Sequence, residues 1–308
     1  MTDVSILYYL LYLGAFATAG AEVGNSIKTL SHKVSSMRKT KFIVAKKKVK
    51  SQNDIDKNYT FGSYLPNKNK IYLYALYLNR EIAKENSELK NQVDAHNKHL
   101  IFTKIHEKKH AENSKYLKNI YHLSKQDRTV LMMLNEISAY MSTYIRIRTK
   151  LLKYKSNNTK KPTININIPK EIYPLLTAYI YNLNNNKNLE INRISSGEAT
   201  VLFNIAIAHF MNVFDCEYKK DILKLSNNSI SPTSYMLKKS LYKKYSFDEI
   251  INAFFTFDIE GQEINILKKL SESKRNDYLS QLTTMAKSFG KFDNEKIAME
   301  IASKALDY

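Results

Sequence analysis

The chain opens with an uncharged run from Val4 to Ala21, rich in Leu, Tyr and Ala. Wound as a helix, it would span about 27 Å, close to the thickness of a bilayer core. The basic residues that follow it (Lys28, Lys33, Arg38, Lys39) set its orientation, with the N-terminus outside and the bulk of the chain in the cytoplasm. Two other readings compete with this anchor. Ala19-Gly20-Ala21 fits a signal-cleavage pattern, but Asp3 gives the preceding region the wrong charge; the run could also be a helix buried in a soluble core. Residues 25–58 show no clear period and read as a basic linker. Tyr59 to Asn69 reads as a loop around Gly62 and Pro66.

A long helix is then expected from Lys70 to Leu123. Its thin stripe of Ile82, Leu89, Val93 and Leu100 lies near coiled-coil spacing, which suggests partner pairing or an exposed arm. Ser124 and Asp127 form a start signal for a second helix reaching Tyr154, with Val130, Leu131, Leu134, Ile137, Met141 and Ile145 as its apolar positions. The stretch 156–163 (SNNTKKPT) marks a boundary, and Thr163 to Ile168 alternates like one short strand. Helical patterns resume near 170–183, 196–214, 216–225, 233–245, 247–257, 262–272, 274–289 and 294–306, with Ser246 and Glu249 as a capping box. The expectation is a mainly α protein: an apolar N-terminal transmembrane helix, a long basic helical arm, and a compact helical C-terminal domain with at most one or two short strands. The corresponding segments are 1–24, 25–58, 59–161 and 162–308.

Composition sharpens this division. The net charge is +19, from 41 Lys and 7 Arg against 29 acidic residues. Residues 1–161 carry +18 of it and residues 162–308 carry +1. AT-rich codons could raise Lys everywhere, but they would act on both halves alike, so the step reflects something else. A basic half beside a neutral one points to an anionic surface, either lipid headgroups or nucleic-acid phosphates. Lys28, Lys33, Arg38, Lys39, Lys41, Lys46, Lys47, Lys48 and Lys50 are the residues expected to hold it. The single Cys216 excludes an intrachain disulfide framework and any cysteine-rich zinc module.

Strings with chemical character are few. His106-Glu107-Lys108-Lys109-His110 puts two imidazoles four residues apart on one helix face, the spacing that chelates zinc. With Glu136 in Asn135-Glu136-Ile137-Ser138 as a third ligand, it resembles the zinc helix of gluzincin metalloproteases. It departs from that family at Lys108 and Lys109, where uncharged residues stand. His99 shares the face of His106 and His110, which reads as an exposed polar face; the alternative is a face that binds a metal weakly or titrates near neutral pH, whose charging on acidification would strengthen any hold on an anion. Ile194-Ser195-Ser196-Gly197-Glu198 resembles the signature motif of ABC-type ATPases, but the chain has no phosphate-cradling Gly-rich loop, so Ser195 or Ser196 is expected to cap a helix. Asp215, Glu217 and Lys219 hold an E-x-K like that of some nucleases, and His209 reads as a core imidazole. No zinc-finger spacing or RNA-binding aromatic string is present.

These features lead to a non-enzymatic, membrane-tethered, cytoplasm-facing helical adaptor without a cofactor. It would bind an anionic surface electrostatically and a protein partner through its C-terminal domain. The alternative is a soluble, non-specific nucleic-acid-binding protein, and a third reading is a zinc-dependent hydrolase.

Overall fold

The computed structural model describes residues 40–51, 54–55, 61–65, 68–117, 120, 122–157, 168–186, 188–213 and 244–288. The described chain is mostly helical, with five short strands. It divides into two compact units, one up to Ser114 and one from Lys115 onward. The apolar run at 4–21, residues 163–167 of the expected strand, residues 233–243 of one expected helix, the helices near 216–225 and 294–306, and Cys216 lie outside the described residues, while Ile168, Lys244 and Tyr245 are described and lie in neither strand nor helix. Among the described residues no helix is long and apolar enough to cross a membrane.

The first unit corrects the expected basic linker, loop and helix start. It contains a three-stranded sheet of β1 (Lys41–Lys48), β2 (Gly62–Leu65) and β3 (Lys70–Tyr77), in the order β1-β3-β2. β1 runs parallel to β3 from Lys41 opposite Lys70 to Lys48 opposite Tyr77, and β2 pairs antiparallel with Gly62 opposite Leu73. β1 alternates exposed and half-buried positions from Phe42 to Lys48, β2 is buried throughout, and β3 alternates buried Ile71 and Leu73 with half-buried Tyr72 and Tyr74.

α1 (Arg80–Glu85) and α2 (Ser87–Leu117) follow. The stripe expected to seek a partner packs at home: Leu89 and Val93 join Val49 and Leu76 in a buried cluster with Ile82 against it. Asn86 starts α2 by accepting the Leu89 N–H at 2.9 Å. Further along, α2 comes so close to β2 that a Cβ at Gly62 would lie 2.8 Å from both the Thr103 methyl and the Tyr72 carbonyl oxygen, so only glycine fits there.

The second unit is organised by α3 (Lys125–Asn157), a 33-residue helix buried nearly all round between Thr129 and Leu152. It packs against α4 (Tyr173–Asn185), α5 (Ser196–Val213), α6 (Phe247–Phe254) and α7 (Glu272–Ser288). Its interior hydroxyls satisfy themselves: Ser138 donates to Asn135 O at 2.8 Å and Thr149 to Ile145 O at 2.9 Å. Ser124 accepts the Asp127 N–H at 3.0 Å, and Ser246 forms its full capping box with Glu249, both as expected. The expected helices at 247–257 and 262–272 are corrected in part. Between α6 and α7 runs a hairpin of β4 (Thr256–Ile259) and β5 (Gln262–Asn265). Its turn residues Glu260 and Gly261 both have positive φ, 52° and 83°, the geometry of a two-residue primed turn. The charge step near 156–163 falls within this second unit.

Candidate functional site

Of the expected anion-binding residues, Lys41, Lys46, Lys47, Lys48 and Lys50 are described, and all lie on or just past β1. Lys28, Lys33, Arg38 and Lys39 lie outside the described residues. Lys46, Lys48 and Lys50 sit two residues apart and so project to one side, about 6.6 Å between neighbours; all three are exposed. Phe42 and Val44 continue the same row, 40% and 56% exposed, so the row runs from apolar to basic. Phe42 is partly roofed by Lys104 of α2, whose Nζ stands 4.4 Å from the ring centroid. Lys47 points to the other side, its Nζ 5.1 Å from the Tyr74 ring. Asp54 turns one carboxylate oxygen to the backbone, accepting the N–H groups of Lys50 at 2.7 Å and Ser51 at 3.2 Å. Among the described residues β1 pairs on one side only, with β3. Lysines on such an edge also discourage strand addition by other chains.

The histidines of α2 separate into two groups. His96 donates from Nε2 to the Tyr74 carbonyl at 2.8 Å and stacks on Phe61 with ring centroids 4.4 Å apart. Phe61 also lies 4.3 Å from His99. Burial holds both imidazoles below their ordinary range. For His96 the nearby Lys47 adds to the effect and the bond to Tyr74 opposes it; for His99, with the charges of His96 and His106 adding to burial, the pKa is pushed down to about 4. This corrects the alternative of a face charging together near neutrality, because His99 stays neutral until well below that range.

Two helical turns beyond His99, His106 and His110 turn their Nε2 atoms toward each other at 3.0 Å, rings edge to face with centroids 4.6 Å apart. His110 is buried and His106 half-buried. Lys108, which departs from the zinc-helix pattern, reaches away to Glu112 at 3.4 Å with both side chains more than half exposed. Glu136 lies on α3 and is half-buried.

The second unit holds a buried cation that the sequence did not single out. Arg148, near the C-terminal end of α3, is fully buried. Its Nε donates to Glu198 Oε1 at 2.9 Å, Nη1 to Ile191 O at 2.8 Å, and Nη2 to the carbonyls of Glu190 and Arg193 at 3.0 and 2.6 Å. Glu198 belongs to the string that resembles an ATPase signature. Here it closes a capping box with Ser195, each backbone N–H to the partner side chain at 3.2 Å, and neutralises Arg148. The string is therefore a helix start clamped to α3. His209 is a satisfied core imidazole, hydrogen-bonded to Tyr144 at 2.8 Å and stacked on Tyr140. Asp215, Glu217 and Lys219 lie outside the described residues. Only the helical position of Arg148, among Ile145, Ile147 and Leu151, could have signalled its burial.

No protein family matches the chain, and no curated protein or solved structure is significantly similar to it.

Proposed function

We propose that this chain is a non-catalytic attachment protein, tethered to a membrane by residues 4–21 with its bulk on the cytoplasmic side. Its β1 lysines hold anionic lipid headgroups, and its helical second unit serves a protein partner. The observation that carries this reading is the exposed set of Lys46 and Lys48 on β1 and Lys50 just past it, on a strand that pairs on one side only among the described residues and follows the apolar run closely in sequence. Residues 22–40, even fully extended, reach at most about 65 Å, so a membrane-inserted start keeps β1 near the headgroups. Each cation near an anionic surface contributes about 1 kcal/mol, and the +18 charge of residues 1–161 supplies the longer-range attraction.

The full chain should pellet with vesicles containing phosphatidylserine and resist carbonate extraction. Deleting residues 1–24 should abolish the resistance. In that deleted chain, K46S/K48S/K50S should weaken binding to anionic vesicles on the order of a hundredfold, at one step of about 1 kcal/mol per lysine. Equal binding of the triple variant would remove β1 from the surface. A full chain that stays in the supernatant would end the tether. Preference for single-stranded DNA over anionic vesicles at matched salt would shift the reading to phosphate-driven nucleic-acid binding, for which Phe42 and Tyr77, both exposed, offer stacking faces.

A further inference from the structure

We propose that His106 and His110 form a two-imidazole chelate for a single zinc-like divalent ion, a site separate from the lysine row on β1. Residues four apart on a helix face one another, but that alone leaves the ring nitrogens several ångströms apart or turned elsewhere. Here both rings have rotated so that Nε2 meets Nε2 at 3.0 Å. Zinc binds imidazole nitrogen at about 2.0–2.1 Å, so an ion equidistant from both atoms would subtend an angle of about 95°. A tetrahedral angle needs a nitrogen separation of about 3.3–3.4 Å, which a few tenths of an ångström of ring motion supplies. The side chains are thus set in a near-chelating arrangement before any ion arrives.

The ion-free pair is held by one proton: one Nε2–H donates and the other Nε2 offers its lone pair. Loading the ion moves that proton to Nδ1 of the same ring, leaving two neutral imidazoles with both Nε2 lone pairs on the metal. Surroundings favour entry from one side, since His110 is buried while His106 is reached by water.

The neighbouring cations set the strength. Lys108 leaves the helix about 200° round from His106 and its ammonium is drawn to Glu112, so it lies off the site. Lys109 is buried and leaves only about 60° from His106, placing a cation on the same side of the helix. An imidazole pair suits Zn²⁺, Ni²⁺ or Cu²⁺, the metals that prefer nitrogen ligands, and not Mg²⁺ or Ca²⁺.

The test uses the full chain, stripped with chelator and titrated with zinc chloride by calorimetry. One equivalent should bind with a micromolar dissociation constant, raising the thermal midpoint by several degrees, while magnesium chloride does neither. His106→Gln and His110→Gln should each weaken zinc binding at least tenfold, with circular dichroism confirming a folded chain. Should a variant fail to fold, imidazole nitrogen resonances of the unsubstituted chain decide instead: the Nε2 signals of His106 and His110 should shift together at one equivalent. Undetectable zinc binding, unchanged affinity in both folded variants, or shifts confined to other histidines would each overturn the proposal.

Discussion

α2 and α3 are consecutive helices of 31 and 33 residues, and they bury themselves by different chemistry. α3 hides Val130, Leu131, Leu134, Ile137, Ile145 and Leu151 among other helices, and its polar interior is either self-bonded hydroxyls or the fully paired Arg148. α2 hides comparatively little hydrocarbon and instead buries His96, Thr103, Lys109, His110, Asn113 and Ser114. In the first unit polar side chains take over part of the work of the core: His96 and Asn97 bond the backbone of β3, and Tyr64 bonds Ser114 at 3.3 Å. The difference shows that a long helix of low hydrophobic periodicity need not be an exposed arm. It can pack by hydrogen bonds aimed at a neighbouring sheet, and then its stability depends on protonation state and bond geometry more than on area.

The largest break in this comparison should come from the one place where α3 relies on charge. Arg148→Met would leave Glu198 and three carbonyl groups without their guanidinium. It should cost about 3–5 kcal/mol of unfolding free energy, read by urea denaturation. Arg148→Lys should recover only part of that, since an ammonium cannot reach in the five directions of the planar fork. A loss below about 1 kcal/mol would show that water replaces the guanidinium freely.

Acidification should then weaken the α2 side. His99 is neutral in the folded chain until about pH 4, whereas an unfolded histidine titrates near 6.5. Between those values the unfolded chain takes up a proton that the folded chain refuses. Stability is therefore full above the unfolded value and falls as pH drops toward 4. His96, also held low by burial, acts in the same direction. A loss of about 1–3 kcal/mol between pH 7 and pH 4.5 is expected, and His99→Leu should flatten that slope. An equal slope in the variant would assign it to carboxylates elsewhere.

The same contrast explains what could be read in advance. α3, its start at Ser124, α5 and the Ser246–Glu249 box follow from periodicity and caps, because a helix buried against helices leaves its pattern in the sequence. The sheet of the first unit left none. In Lys-Phe-Ile-Val-Ala-Lys-Lys-Lys the lysines of a wet edge mask the strand, and in β3 the tyrosines blur which face is inside. The β4–β5 hairpin was hidden by its turn, where Glu260 takes the positive φ usually given to Asn or Asp. The sheet lysines and the His106–His110 pair were legible as residue types, but their geometry depends on ring rotation and strand pairing, which spacing does not encode.

The most local of these effects is the most diagnostic of how α2 holds its sheet. β2 covers the edge of β3 only as far as Phe61, whose carbonyl accepts the Tyr74 N–H at 2.8 Å. Beyond that point Asn97 takes over the role of a strand: its Oδ1 accepts the Leu76 N–H at 2.9 Å and its Nδ2 donates to the Leu76 carbonyl at 2.8 Å. Asn97→Leu fits the helix but leaves both Leu76 groups without a partner, at a cost of about 1–3 kcal/mol. Asn97→Gln keeps the amide but lengthens the arm, so it should lose less than Leu and more than nothing. Hydrogen exchange localises the effect. The Leu76 amide should lose protection in Asn97→Leu while the amides of α3 keep theirs. Faster exchange spread evenly through both units would mean that Asn97 supports the whole chain and not this edge.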